Sequence, residues 1–100
     1  MSVPSPPMPV AQLFEQARHC LFDGRIEEAE AHCRRVLKLQ PRNSDALLVL
    51  ALCRHDRGDF TGALKHLAGA LRLEPRSAAL HVAYANSLRA IGKRESAVEH

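Results

Sequence analysis

From Val10 onward the chain alternates between two hydrophobic patterns. Ala46 to Cys53, ALLVLALC, is a run of apolar residues with no polar face. Such a segment is stable in water only as a helix that neighbours enclose on more than one side. Beyond Arg57-Gly58-Asp59 the pattern changes to a stripe, with Ala63, Leu64, Leu67, Ala70, Leu71 and Leu73 facing inward and Lys65, His66, Gly69 and Arg72 facing water. That spacing predicts an amphipathic helix. Ser44 to Ser77 thus reads as two short helices joined by a tight turn at Gly58 and closed by Glu74-Pro75.

The punctuation is periodic. Gly24, Gly58 and Gly92 stand 34 residues apart, and Pro41 with Pro75, and Ala29 with Ala63 and Ala97, keep the same interval. A fixed period of this length marks a repeat architecture whose units cannot bury their apolar faces alone. The copies are 10–43, 44–77 and 78–100, and the predicted helices are 10–23, 26–39, 44–57, 60–73 and 78–91, with a sixth starting at 94. Each glycine falls where a helix must end, because a left-handed residue after the last turn costs Gly little. Asp59 is a good N-cap for the helix after Gly58, whereas Arg25 and Lys93, at the same place in the other copies, cannot accept from backbone N–H groups. Residues 1–9, MSVPSPPMP, hold four prolines and almost nothing to bury, which predicts an extended or disordered arm.

These residues resemble the tetratricopeptide repeat family, a 34-residue helix-turn-helix unit. The middle copy supplies Leu47, Leu50, Ala51, Gly58, Phe60, Ala63, Leu67, Ala70 and Pro75 of its pattern. The first supplies Leu13, Ala17, Gly24, Ala29, Val36 and Pro41 but has Gln16 where Leu50 stands; the third supplies Ala85, Leu88, Gly92 and Ala97 but has His81 and Tyr84 in place of Leu47 and Leu50. The resemblance implies an all-α solenoid with a right-handed superhelix, whose first helices line a concave groove for a peptide or protein segment. Carried over residue by residue, that face holds Phe14, Leu48 and Val82; Arg18, Leu52 and Asn86; and Leu21, His55 and Arg89. The family's clamp for a C-terminal carboxylate would fall on Phe14, Arg18, Val49, Ala79 and Ala83, of which only Arg18 is charged, so that ligand is not expected. By the same resemblance Asn86 is a candidate to hydrogen-bond a peptide backbone, the favoured alternative being a solvated polar residue.

Composition agrees with helices and narrows the rest. Four aromatic residues, no Trp and an abundance of Ala and Leu suit closely packed helices better than a β-sandwich. The formal charge of +3 is scattered rather than gathered in a basic stripe with stacking aromatics, which disfavours nucleic acid as a partner. Cys20, Cys33 and Cys53 lack the paired spacing of a zinc site and read as buried hydrophobes in a reducing compartment. With no apolar run near the roughly 18 residues of a membrane span, and no signal-peptide pattern at the start, the expected address is cytoplasmic.

Candidate chemistry reduces to structure at each place. His32, His66 and His100 share the repeat interval and should form an outer, solvated ridge. Cys20 and Cys33 fall at core-facing positions, where burial raises a thiol pKa and makes it inert despite neighbouring His19 and His32. Glu27, Glu28 and Glu30 sit in the first turn of a helix and complement its dipole. Arg57-Gly58-Asp59 spells an integrin-recognition tripeptide but is the repeat's own turn. No phosphate-binding loop or catalytic carboxylate pair is present, and no catalytic residue, metal or cofactor is expected. The chain is therefore expected to be a non-enzymatic protein-binding scaffold. The alternative is the N-terminal repeat region of a larger enzyme such as a glycosyltransferase or sulfotransferase, because residue 100 falls partway through the third copy's second helix. Uncovered apolar surface near Leu64, Leu71 and the third copy predicts self-association.

Overall fold

The computed structural model describes residues 9–99, with side chains through residue 96. The proline-rich arm before Pro9, the side chain of Ala97 and all of His100 lie outside the described residues. Among the described residues five helices succeed one another: α1 (Val10–Phe22), α2 (Ile26–Leu39), α3 (Ser44–Asp56), α4 (Phe60–Leu73) and α5 (Ala78–Glu99). No strand occurs among these residues. Each helix packs on its neighbours in sequence, and α1 also touches α3 as α3 touches α5. The result is a helical solenoid, as the periodicity predicts.

The two turns inside the complete repeats form as the glycines require. Gly24 and Gly58 take φ of 81° and 82°, left-handed values at which a Cβ would be strained. Asp59 then caps α4, its Oδ1 accepting from the Gly62 N–H at 3.0 Å, whereas Arg25 makes no side-chain cap for α2. A second set of caps shares the repeat interval, at positions the sequence pattern does not single out. Asn43 accepts from the Ala46 N–H at 3.0 Å to start α3, and Ser77 accepts from the Leu80 N–H at 3.3 Å to start α5. Their counterpart before α1 is Pro9, which offers no such bond.

Small residues let the helices approach closely. Ala17, Ala29, Cys33 and Cys53 are buried together between the first repeat and α3, and Ala51, Ala63, Leu67, Ala70 and Leu80 form the second cluster, between α3, α4 and α5. The stripe on α4 is narrower than its sequence suggests. Ala63, Leu67 and Ala70 are buried, while Leu64, Leu71 and Leu73 are half-buried, as are His66 and Gly69 of the face expected to be wet. Leu71 packs against the second cluster, so this side is less open than expected, and among the described residues the exposed large apolar side chains of the third copy are Val82 and Leu88.

The third copy departs from the predicted turn. Instead of a helix ending at 91 and another starting at 94, α5 continues through Gly92 as one helix to Glu99. Gly92 does not take a positive φ. Lys93 stands where Asp59 caps α4 and cannot cap, but neither can Arg25, after which α2 still begins, so a missing cap does not by itself account for the straight helix. The straight path also carries Arg94 across to the preceding turn, where its guanidinium lies over the Phe60 ring at 4.6 Å from the centroid.

Candidate binding groove

The parallel placement of α1 and α3 brings five of the predicted groove residues together. Phe14, Arg18 and Leu21 from α1 and Leu48 and Leu52 from α3 line a single groove of ≈ 850 Å³. Helical spacing explains the set. Phe14, Arg18 and Leu21 recur at four and three residues along one face, and Leu48 and Leu52 stand one repeat interval beyond the first two. Phe14 and Leu21 also rest on the first-repeat core, so the floor of the groove is the outer surface of packed side chains.

The groove includes further residues outside the predicted face: Glu15, His19, Phe22, Asp45 and Val49. Phe22 is the most conspicuous, with 91% of its surface exposed at the last position of α1. Its place in the repeat is held by Asp56 in the next copy, so the repeat pattern gives no reason to pick it out. Charge at the groove is mostly internal. Arg18 donates to Glu15 at 3.0 Å and lies over the Phe14 ring at 5.9 Å, which orients the ring and occupies the cation. Asp45 has no ion-pair partner among the described residues.

The remaining predicted groove residues do not join this cavity. His55 turns toward α5, its Nδ1 3.1 Å from the Ser87 Oγ, and meets the Phe60 ring edge-on at a centroid distance of 4.8 Å. It joins three helices rather than facing a ligand. Val82, Asn86 and Arg89 are exposed on α5, and Arg89 donates to Asn86 Oδ1 at 2.6 Å. Asn86 is therefore already engaged as an acceptor.

An ionic cluster around buried Glu30 joins α2 to the end of α3, and it corrects the reading of Glu30 as a first-turn residue complementing the helix dipole. Glu30 is 4% exposed, and its carboxylate stands 3.7 Å from Arg54 of α3 and 3.5 Å from Arg57 just after that helix. Arg34 approaches its other oxygen at 3.8 Å. Glu30 occupies the place that Leu64 holds in the next repeat, and that break in periodicity is the signal the sequence offers. Arg57 also reaches Glu27 at 3.5 Å, while Gly58 makes the turn and Asp59 caps α4, so all three members of the Arg-Gly-Asp tripeptide serve the repeat itself.

The cysteines are free thiols, all three buried. Burial pushes the Cys33 thiol up to about 12 and the Cys53 thiol up to about 11, with Glu30 adding to both shifts. Cys20 lies with its sulfur 3.8 Å from Glu28 Oε2. The Cys33 and Cys53 thiols, held protonated by burial, are packing elements rather than nucleophiles. Of the histidine ridge, His32 and His66 are half-buried rather than fully solvated, and burial, with help from Arg54, lowers the His66 pKa. Among the described residues no group of three or more His, Cys, Asp or Glu could hold a metal ion, and no helix is long and apolar enough to cross a membrane.

Helical hairpins repeated at a fixed interval, stacked so that equivalent helices lie side by side over an open groove, define an α-helical repeat protein. The tetratricopeptide repeat family model matches residues 14–78 and again residues 56–100, and the chain belongs to that family. Repeats of this kind generally mediate protein–protein interactions. No curated protein matches the sequence.

Proposed function

We propose that the chain is a non-catalytic binding module that holds a protein or peptide segment in the groove between α1 and α3. The observation that supports this reading is the juxtaposition of Phe14, Leu21, Leu48 and Leu52, from two helices one repeat apart, around one cavity. Affinity comes from apolar side chains of the ligand seated on these four residues and on exposed Phe22, since large side chains in a partly enclosed pocket dominate binding energy. Asp45 favours a cation beside the apolar anchor, and Arg18, bound to Glu15, holds the Phe14 ring in place rather than clamping a terminal carboxylate. The three buried, reduced cysteines are compatible with a cytoplasmic setting.

Selection of a displayed peptide library against the folded chain tests the groove. Selected sequences should carry aromatic or aliphatic residues next to Lys or Arg. Their binding should be lost when Leu48→Glu and Leu52→Glu are combined, with the helical circular dichroism retained. Equal binding by that double variant would sink the groove as the site.

A further inference from the structure

The connections of a hairpin array fall on opposite edges. On one lie the turns inside the repeats, at Gly24 and Gly58; on the other lie the connections between repeats, residues 40–43 and 74–77. Cations are held differently at the two. On the first edge Arg25, Arg54 and Arg57 are each paired with two carboxylates. On the second, Arg35, Lys38 and Arg42 stand with Arg72 and Arg76 of the next repeat, all of them exposed. None of these five has an ion pair among the described residues.

Repeat register sets their arrangement. Arg72 and Arg76 occupy the places of Lys38 and Arg42, so the cations form equivalent groups in successive repeats, and Arg35 lies one helical turn before Lys38 on the same side. Lys38 and Arg72 suit the dipoles of the helices they end, whereas Arg42 and Arg76 lie beyond those helices, in the connections. Charges scattered along the sequence are thus gathered by the fold.

The chemistry that fits this edge is specific. Arg predominates, and its planar fork takes a carboxylate or a phosphate through parallel hydrogen bonds. Glu74 stands between Arg72 and Arg76 in the chain, so a phosphate backbone, charged at every step, would meet a like charge there, whereas a polypeptide can place a neutral residue opposite it. Leu39, 61% exposed between Lys38 and Arg42, adds apolar surface for a side chain to cover. Because α3 packs between α2 and α4, the cation groups are one to two interhelical steps of about 8–10 Å apart, a distance an extended segment spans in about three to six residues.

We propose that this inter-repeat edge binds an acidic segment of a partner protein: Asp or Glu groups about three to six residues apart, one on Arg35, Lys38 and Arg42 and the other on Arg72 and Arg76, with an apolar residue between them resting on Leu39. None of the five cations lines the α1–α3 groove, so the two surfaces are independent.

Fluorescently labelled, N-acetylated peptides with two Glu pairs at spacings of about three to six residues and a Leu between them are the probe, titrated into the folded chain and followed by anisotropy. Saturable binding is expected, weakened roughly tenfold or more by the paired Arg42→Glu and Arg76→Glu substitutions and severalfold by Leu39→Ser. Peptides with Gln for Glu should not bind. Lys65→Glu combined with Lys93→Glu changes the net charge equally but away from this edge, and should leave binding within about twofold. Arg42→Gln with Arg76→Gln repeats the test should the Glu variants lose helicity. Absence of saturation by every peptide, undiminished binding by the Arg42 and Arg76 variants, or an equal loss in the Lys65 and Lys93 variant would each overturn the proposal. So would tighter binding to phosphatidylserine vesicles or to a single-stranded oligonucleotide that the same Arg substitutions abolish, which would make a lipid surface or a nucleic acid the occupant.

Discussion

Gly58 and Gly92 stand at the same place in successive repeats, yet one reverses the chain and the other lies inside a helix. After Gly58 the chain finds an N-cap at Asp59 and a closing helix whose Ala63, Leu67 and Ala70 are fully buried. After Gly92 it meets Lys93, which cannot cap, and Arg94, which finds the Phe60 ring by continuing straight. Glycine permits the left-handed turn and Asp59 stabilises it by accepting from an orphan N–H group, although Gly24 makes the same turn before Arg25 without such an acceptor.

The largest test of this contrast is in packing. Leu67→Ala should destabilise the fold by about 2–5 kcal/mol, because it opens a cavity in the cluster joining α3, α4 and α5. Leu88→Ala, on the uncovered face, should cost less than about 1 kcal/mol. Urea unfolding of both variants measures the difference, and similar losses would show that α5 is covered in solution. Next come the glycines themselves. Gly58→Ala should lose about 1–2 kcal/mol, since its φ of 82° is strained for any residue with a Cβ. Gly92→Ala should instead gain up to about 1 kcal/mol by stiffening a helix interior. A loss at both positions would mean that Gly92 makes a turn after all. At the cap, Asp59→Ala should cost about 1 kcal/mol and Lys93→Ala almost nothing.

The smallest effect is electrostatic and belongs to α4. Burial lowers the His66 pKa in the fold below its ordinary 6.5, so the unfolded chain takes up the proton first. Stability from this residue is complete above about pH 6.5 and declines as the pH falls below it, toward the folded value. His66→Gln should flatten that part of the stability profile, which thermal melts in steps between pH 7 and 5 would resolve.

Most of the fold is legible in the sequence because it rests on local signals. The ends of α1 to α4 are set by Gly24, Gly58, Asp59 and the apolar periods, each acting within one or two turns. The straight α5 is not legible, since Gly92 carries the same local signal as Gly58, and the deciding contact with Phe60 spans the distance between two repeats. The groove divides in the same way. Phe14, Arg18, Leu21, Leu48 and Leu52 are given by repeat register alone and do meet around one cavity. His55 shares the register but is drawn aside by Ser87, a buried hydroxyl on α5 whose pairing no periodicity announces.

The Glu30 cluster bears on how such a chain can change over generations. Repeat arrays grow and shrink by duplicating or deleting whole units, which is harmless when every junction is alike. Here the first junction joins Glu30 to Arg54 and Arg57, whereas the matching places at the second hold Leu64, Leu88 and Ile91. Moving the first repeat one place along would press a buried carboxylate against aliphatic side chains with only the exposed Arg34 of its own helix left in reach, and losing the partners of a buried charge costs several kcal/mol. The ion cluster therefore acts as an order mark: units one and two can be inherited together but not shuffled.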